Sequence, residues 1–195
     1  MKTQIETEAK IKLSKKEFYD LNQKTWDIMG MEKTGGKGEE QINTYYEAGD
    51  GTIIRIREIK SKHFGPEFIL NKKKKRKVET KYKSVEEKEL NVWGYSDVRS
   101  SHHLPQQGMK NLMSFLGFKK ILKYKKYRLN YKFGQDTIIS FDHLKIPKNH
   151  QYYVEIEGHE ENIEKVIRKL KIKSKSIEKR SYLEILTEGK YEENK

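Results

Sequence analysis

The chain has 195 residues, with 42 Lys and Arg against 29 Asp and Glu, a formal net charge of +13 and no cysteine. Disulfides and thiolate metal sites are therefore excluded, and any metal must sit on carboxylates, histidines or carbonyls, which suits Mg²⁺ or Mn²⁺. The positive balance favours anionic partners, and no apolar run is long enough to span a membrane, so the expectation is a soluble cytoplasmic protein with no membrane partner.

The order of elements follows from periodicity. "IETEAKIKL", residues 5–13, alternates Ile5, Ala9, Ile11 and Leu13 with Glu6, Glu8, Lys10 and Lys12, the pattern of a strand with one apolar and one charged face. "SKKEFYDLNQKTWDIMG" predicts a helix: Ser14 and Glu17 have capping-box spacing, Phe18, Leu21, Thr25 and Ile28 share a face, and Gly30 is a stop. "MEKTGGKGEE" reads as a flexible loop. Strands follow at "TIIRIRE", "EFILNKKKK" and "YKSVEEKELNV", which place Arg55 with Arg57 and Glu87 with Glu89 on single faces. "QQGMKNLMSFLGF" predicts a helix with Met109, Leu112, Met113 and Leu116 inward. Next come strands "KKYRLNYKF", with Lys126 and Arg128 together, "TIISFDHL", with Ser140 and Asp142, and "YYVEIEG", with Glu155 and Glu157. A helix over "HEENIEKVIRKLKI" and a short one over "SYLEILTEG", with Ser181 and Glu184 at capping-box spacing, complete an α+β domain. The expected organisation is one domain over 1–188 and a flexible tail over 189–195.

Six strands carry charges on one face, several as pairs two residues apart, with both signs represented. A face that merely meets water needs no such repetition. Arginines two apart on a strand clamp phosphate oxygens with their planar forks of donors. Carboxylates two apart share a hard divalent cation. Together these are the parts of a site for a metal-bound polyphosphate. The basic run "NKKKKRK", residues 71–77, reads as a strand end entering a solvated loop, with a nucleic-acid patch as the other reading. The histidines show no metal-ligand spacing, and His102 and His103 read as loop residues.

These residues resemble a known family. "IETEAKIKL" is similar to the ExExK signature of the CYTH superfamily, the triphosphate tunnel metalloenzymes, which includes class IV adenylate cyclases and thiamine triphosphatases. "GTIIRIRE", "FILNKKKK", "SVEEKELNV", "GFKKILKYKKYRLNY", "SFDHL", "YYVEIEG" and "KRSYLEIL" continue the resemblance in the family's order. Many members carry an arginine where this chain has Val85, with Lys81 or Lys83 as substitutes. The resemblance implies an eight-stranded antiparallel β-barrel, a tunnel with a polar interior and flanking helices. It implies Glu6, Glu8, Asp142, Glu155 and Glu157 as metal ligands for Mg²⁺ or Mn²⁺, two ions in all. Lys10, Arg55, Arg57, Lys73, Lys126 and Arg128 then bind phosphates, with Lys72 as an alternative to Lys73. Glu87, Glu89 and Lys126 are the catalytic candidates. The inward set holds six cations against seven carboxylates, so it binds a polyphosphate only with metal ions to offset the charge. The implied activity is metal-dependent hydrolysis of a triphosphate: inorganic triphosphate, thiamine triphosphate, or a nucleoside or RNA 5′-triphosphate. An adenylate cyclase is the alternative, and a non-catalytic polyphosphate or RNA-end binding module is a further one. The protein is expected as a monomer or homodimer.

Overall fold

A computed structural model describes residues 2–29, 38–60, 67–75, 82–93, 106–146, 149–172 and 177–187. The elements in order are β1 (Lys2–Leu13), α1 (Lys15–Met29), β2 (Gly38–Glu47), β3 (Ile53–Lys60), β4 (Glu67–Lys75), β5 (Lys83–Trp93), α2 (Gln106–Phe115), β6 (Lys119–Phe133), β7 (Thr137–Ile146), β8 (Asn149–Glu157), α3 (Glu160–Leu170), β9 (Ile177–Glu178) and α4 (Tyr182–Leu186). All strand pairs are antiparallel, in the order β5-β4-β3-β2-β6-β7-β8-β1-β9, and β1 also pairs with β5.

That extra pairing curls the sheet into a tunnel. Residues 2–8 of β1 pair with β5, residues 8–13 pair with β8, and the two ladders meet only at Glu8. The ring is therefore staggered at a seam within β1. The two-residue strand β9 takes up the β1 edge at Lys10 and Ile11, beyond the reach of β5. This ninth strand was not anticipated. Nor was β2: the loop expected over 31–40 ends at Gly38, where the strand begins, and residues 31–37 lie outside the described set. The Tyr127 ring lies over Gly38, where a Cβ would come within 1.7 Å of its hydroxyl oxygen and push the exposed ring aside.

Directly opposed residues in neighbouring strands share a face. One row runs Lys10, Glu155, Ser140, Asn130 around the wall. The adjacent row runs Ile11, Val154, Phe141, Leu129. The first row faces inward and the second outward, where α1 and α3 cover it. α3 buries Ile163, Val166, Ile167 and Leu170 against Ile11, Phe141 and Val154, each such side chain contributing about 1.5–3 kcal/mol. α1 starts at the expected capping box, Glu17 N–H to Ser14 Oγ at 3.3 Å and Ser14 N–H to Glu17 Oε2 at 2.8 Å. α2 packs on the outside of β2–β4 through Met109 and Met113, but Leu112 and Leu116 stay exposed, so only half of the anticipated stripe is core.

The interior is not polar along its whole length. At one end Tyr45, Tyr124, Leu144 and Tyr153 from the inner face pack with Tyr182 of α4. α4 is held in place by a complete capping box between Ser181 and Glu184. The expected tail over 189–195 lies outside the described residues. Among the described residues no helix is long and apolar enough to cross a membrane.

A candidate active site in the tunnel

β6, β7, β8 and β1 bring most of the anticipated residues into one buried ionic network. Arg128 and Asp142 are cross-strand partners. Arg128 Nε donates to Asp142 Oδ1 at 2.7 Å, and Nη2 donates to Oδ2 at 2.6 Å. Nη2 also donates to Glu155 Oε2, and Nη1 lies 3.8 Å from Glu157 Oε1. Lys126 Nζ donates to Asp142 Oδ2 at 2.7 Å. Lys10 and Glu155 are partners across β1–β8; Lys10 Nζ is 3.2 Å from Glu155 Oε1 and 3.2 Å from Glu8 Oε1.

The C-terminal segment closes this network. Tyr182 donates its hydroxyl proton to Asp142 Oδ2 at 2.9 Å, and Lys10 Nζ donates to the Arg180 carbonyl at 3.0 Å. Both ammonium groups also sit over the Tyr182 ring, Lys10 at 4.4 Å and Lys126 at 5.2 Å from its centroid, a favourable cation–π arrangement. Tyr182 had no anticipated chemical role.

Burial sets the electrostatics. Lys126 is pushed down to about 7 by burial and by the Arg128 guanidinium, which outweigh the pull of Asp142. For Lys10 burial acts in the same direction, but Glu155 and Glu8 outweigh it and hold its pKa above the ordinary lysine value. Burial alone would raise Asp142; Arg128 and Lys126 keep it below the usual carboxylate range. Asp142 accepts from Arg128, Lys126 and Tyr182 at once.

Glu8, Glu155 and Glu157 each offer one ligand oxygen within 4.8 Å of the other two. Three hard oxygen donors on rigid strands fit a Mg²⁺ or Mn²⁺ ion. Glu8 and Glu157 are cross-strand partners, and the Glu157 side chain is 26% exposed and so reaches water. The structure does not bring Asp142 into this triplet.

The two strand arginines line a different part of the wall. Arg55 Nε donates to Asn71 Oδ1 at 3.3 Å, and Arg57 Nε donates to Asn43 Oδ1 at 3.3 Å. For the other candidates the ladders give register alone. Position 73 opposes Glu87, Asn71 opposes Glu89, and Glu6 opposes Val85. Arg55 opposes Asn71, so position 73 shares the face of Arg55 and Lys72 does not. Position 83 opposes Glu8 in the β1–β5 ladder, whereas Lys81 lies outside the described residues, as do His102 and His103.

Sequence reasoning missed the amides Gln41, Asn43 and Asn71 because it looked for charge. The signal for Asn71 was present: it stands two residues before Lys73, in phase with the arginine strand.

The match to known proteins agrees with this architecture. The CYTH domain family profile matches residues 4–182. No curated protein matches the chain. Among solved structures it is similar to PH1819 of Pyrococcus horikoshii OT3, with 25% identity and a TM-score of 0.69 over 94% of this chain and 98% of that one. It is similar in fold to an adenylate cyclase candidate from Bacillus halodurans, with 19% identity and a TM-score of 0.60 over 95% and 98% of the two chains. A third is HpAC1 of Hippeastrum, described as having a dominant triphosphatase activity, with 15% identity and a TM-score of 0.63 over 94% and 96%. With a profile match over nearly its whole length and a charged tunnel to go with it, the chain belongs to the CYTH domain family.

Proposed function

We propose that this protein is a metal-dependent hydrolase that removes the terminal phosphate of a triphosphate substrate. One observation carries the reading: a three-carboxylate cluster, Glu8, Glu155 and Glu157, shares a single buried network with Lys10, Arg128 and, through Asp142, Lys126. Carboxylates without the cations would hold a metal alone, and cations without the carboxylates would hold an anion alone. Their interleaving suits a metal-bound polyphosphate.

Glu8, Glu155 and Glu157 would hold the ion, and Glu6 is a further candidate. When bound, Mg²⁺ or Mn²⁺ offsets phosphate charge and polarises the phosphoryl oxygens. Arg55, Arg57, Lys73, Lys126, Arg128 and Lys10 grip the phosphate chain. Asp142 acts through them: it fixes the Arg128 fork and the Lys126 ammonium where phosphate oxygens can meet them. Glu87 or Glu89 orients the attacking water. Water adds at the terminal phosphorus, the bond from that phosphorus to the bridging oxygen breaks, and the bridging oxygen leaves on the diphosphate. Water's proton passes to the orienting carboxylate.

The test is product identification by mass spectrometry after ATP, inorganic triphosphate, thiamine triphosphate and 5′-triphosphate RNA are incubated with the protein and Mn²⁺. Orthophosphate as the main product is the expected result. Cyclic AMP with matching pyrophosphate would replace the hydrolase by a cyclase, and binding without turnover would leave a capture module.

A further inference from the structure

β2 and β6 place four inner-face side chains in a square: Gln41 opposes Lys126 and Asn43 opposes Tyr124. Gln41, Asn43 and Tyr124 are buried, at 1%, 0% and 5% exposure. Each carries a buried polar atom with no hydrogen-bond partner among the described residues: Gln41 Oε1, Asn43 Nδ2 and Tyr124 Oη. Buried polar groups are paired in the great majority of cases, so three orphans in one square call for an explanation.

The orientation of both amides is fixed by their neighbours. Arg57 Nε can only donate, so the oxygen of Asn43 must face it, at 3.3 Å. That leaves the Asn43 NH₂ group as a committed donor. The Glu39 carboxylate can only accept, so the nitrogen of Gln41 must face it, at 2.7 Å. That leaves Gln41 Oε1 as a committed acceptor on a residue whose Cα lies about 7 Å along the strand from that of Asn43. Tyr124 keeps its proton, because burial and the nearby Tyr45 push its phenol well above the usual range, and its hydroxyl can donate or accept.

An ionised phosphate oxygen only accepts. It would satisfy Asn43 and Tyr124 but would oppose Gln41 Oε1 with a second acceptor. A hydroxyl both donates and accepts, and a pair of neighbouring hydroxyls spans committed donor and committed acceptor together. Lys126 is itself one corner of the square, and Arg57 adjoins it through Asn43. Whatever occupies it therefore lies next to the phosphate chain.

We propose that Gln41, Asn43 and Tyr124 form a specificity subsite for a hydroxyl-bearing, ribose-like group attached to the phosphate chain, so that the tunnel favours organic triphosphates over inorganic triphosphate. This rests on the reading of the tunnel as a triphosphate site.

The experiment compares kcat/KM for ATP, 2′,3′-dideoxy-ATP and inorganic triphosphate in the wild-type chain, Tyr124→Phe and Gln41→Met. These two variants leave the Arg57–Asn43 bond in place. The wild type is expected to prefer ATP over the dideoxy analogue about tenfold, a loss on the scale of one or two hydrogen bonds. Each variant should lower ATP turnover about fivefold or more, bring the ATP to dideoxy-ATP ratio toward one, and change inorganic triphosphate less than twofold. Equal treatment of ATP and the dideoxy analogue by the wild type overturns the subsite, even if a variant fails to fold. So does an equal loss on ATP and inorganic triphosphate in the variants. A chain that neither turns over nor binds any of the three overturns the triphosphate reading itself, and the subsite with it.

Discussion

Arg128 and Asp142 form a two-point pair across the β6–β7 ladder, with contacts of 2.7 and 2.6 Å, and Asp142 is wholly buried. Lys126 and Tyr182 converge on the same carboxylate from a neighbouring wall position and from α4. Asp142→Asn replaces an acceptor oxygen with a donor facing other donors, removes the carboxylate that pairs with Lys126, and leaves Arg128 with only Glu155 and Glu157. The expected cost is about 3–5 kcal/mol, the range for breaking one partner out of a buried pair. Tyr182→Phe removes one hydrogen bond and should cost about 1 kcal/mol. Urea midpoints at unchanged m-value measure both; an Asp142→Asn midpoint equal to that of Tyr182→Phe would contradict the assignment.

Glu8→Gln and Glu157→Gln test the carboxylate triplet. Each should lower metal-dependent turnover by about 10²-fold or more, the scale of one lost transition-state contact, with the circular dichroism of the wild type retained. Glu157 is the cleaner probe because its side chain is 26% exposed, whereas that of Glu8 is 5% exposed and paired with the buried Lys10. Isothermal titration with Mn²⁺ should show weakened binding in both variants, and full activity in excess EDTA would sink the metal assignment.

Lys126 predicts two pH dependences of opposite sign. Burial and Arg128 bring its folded value down to about 7 from 10.5. Between those values the unfolded chain binds the extra proton, so the contribution of Lys126 to stability rises as pH rises through that window. Phosphate binding needs the ammonium, so affinity falls as pH rises above 7. Titration calorimetry with a non-hydrolysable triphosphate between pH 7 and 9 should show the wild type weakening and Lys126→Arg holding nearly flat, since guanidinium keeps its proton. Parallel slopes for the two proteins would exclude Lys126 as a phosphate ligand.

The β3–β4 register makes a sharper distinction within the basic run. Arg55 opposes Asn71, and Ile54 opposes the exposed Lys72. Lys73→Ala should raise KM for a short polyphosphate about tenfold or more, whereas Lys72→Ala should leave it within twofold. The reverse order, measured by steady-state kinetics, would mean that the ladder is shifted by one residue, a slip that turns every side chain of β4 to the other face.

The strands most legible in the sequence were those whose inner row is charged and whose outer row is apolar, such as β1 and β8. β2 was hidden because both of its rows are mixed: Glu39, Gln41, Asn43 and Tyr45 alternate with Glu40, Ile42, Thr44 and Tyr46. The same strand supplies both amides among the three orphaned groups of the square, so one blurred pattern concealed both a wall of the tunnel and its neutral corner. The charged residues of the network stand two apart on strand faces, and their resemblance to the family's motifs singled them out. Their division of labour was not legible there, because it depends on partners distant in the chain. Asp142 and Glu155 look alike locally. Asp142 has Arg128 directly opposite and Tyr182 arriving from forty positions further on, while Glu155 has Lys10 opposite and two more glutamates within reach. The apolar end of the interior was likewise invisible, since Tyr45, Tyr124 and Tyr153 read as ordinary strand aromatics until α4 packs on them.

The seam within β1 has a consequence for how the molecule is made. Half of that strand waits for residues 83–89 and the other half for residues 152–157, so the second half finds its ladder partner only after about 150 residues have been synthesised. A segment so late to pair exposes its hydrogen-bonding edge throughout translation. Its alternating Glu and Lys residues keep that edge charged in the meantime, which opposes pairing with a neighbouring nascent chain. The charges that line the tunnel in the finished protein thus also guard the strand while the ring is still open.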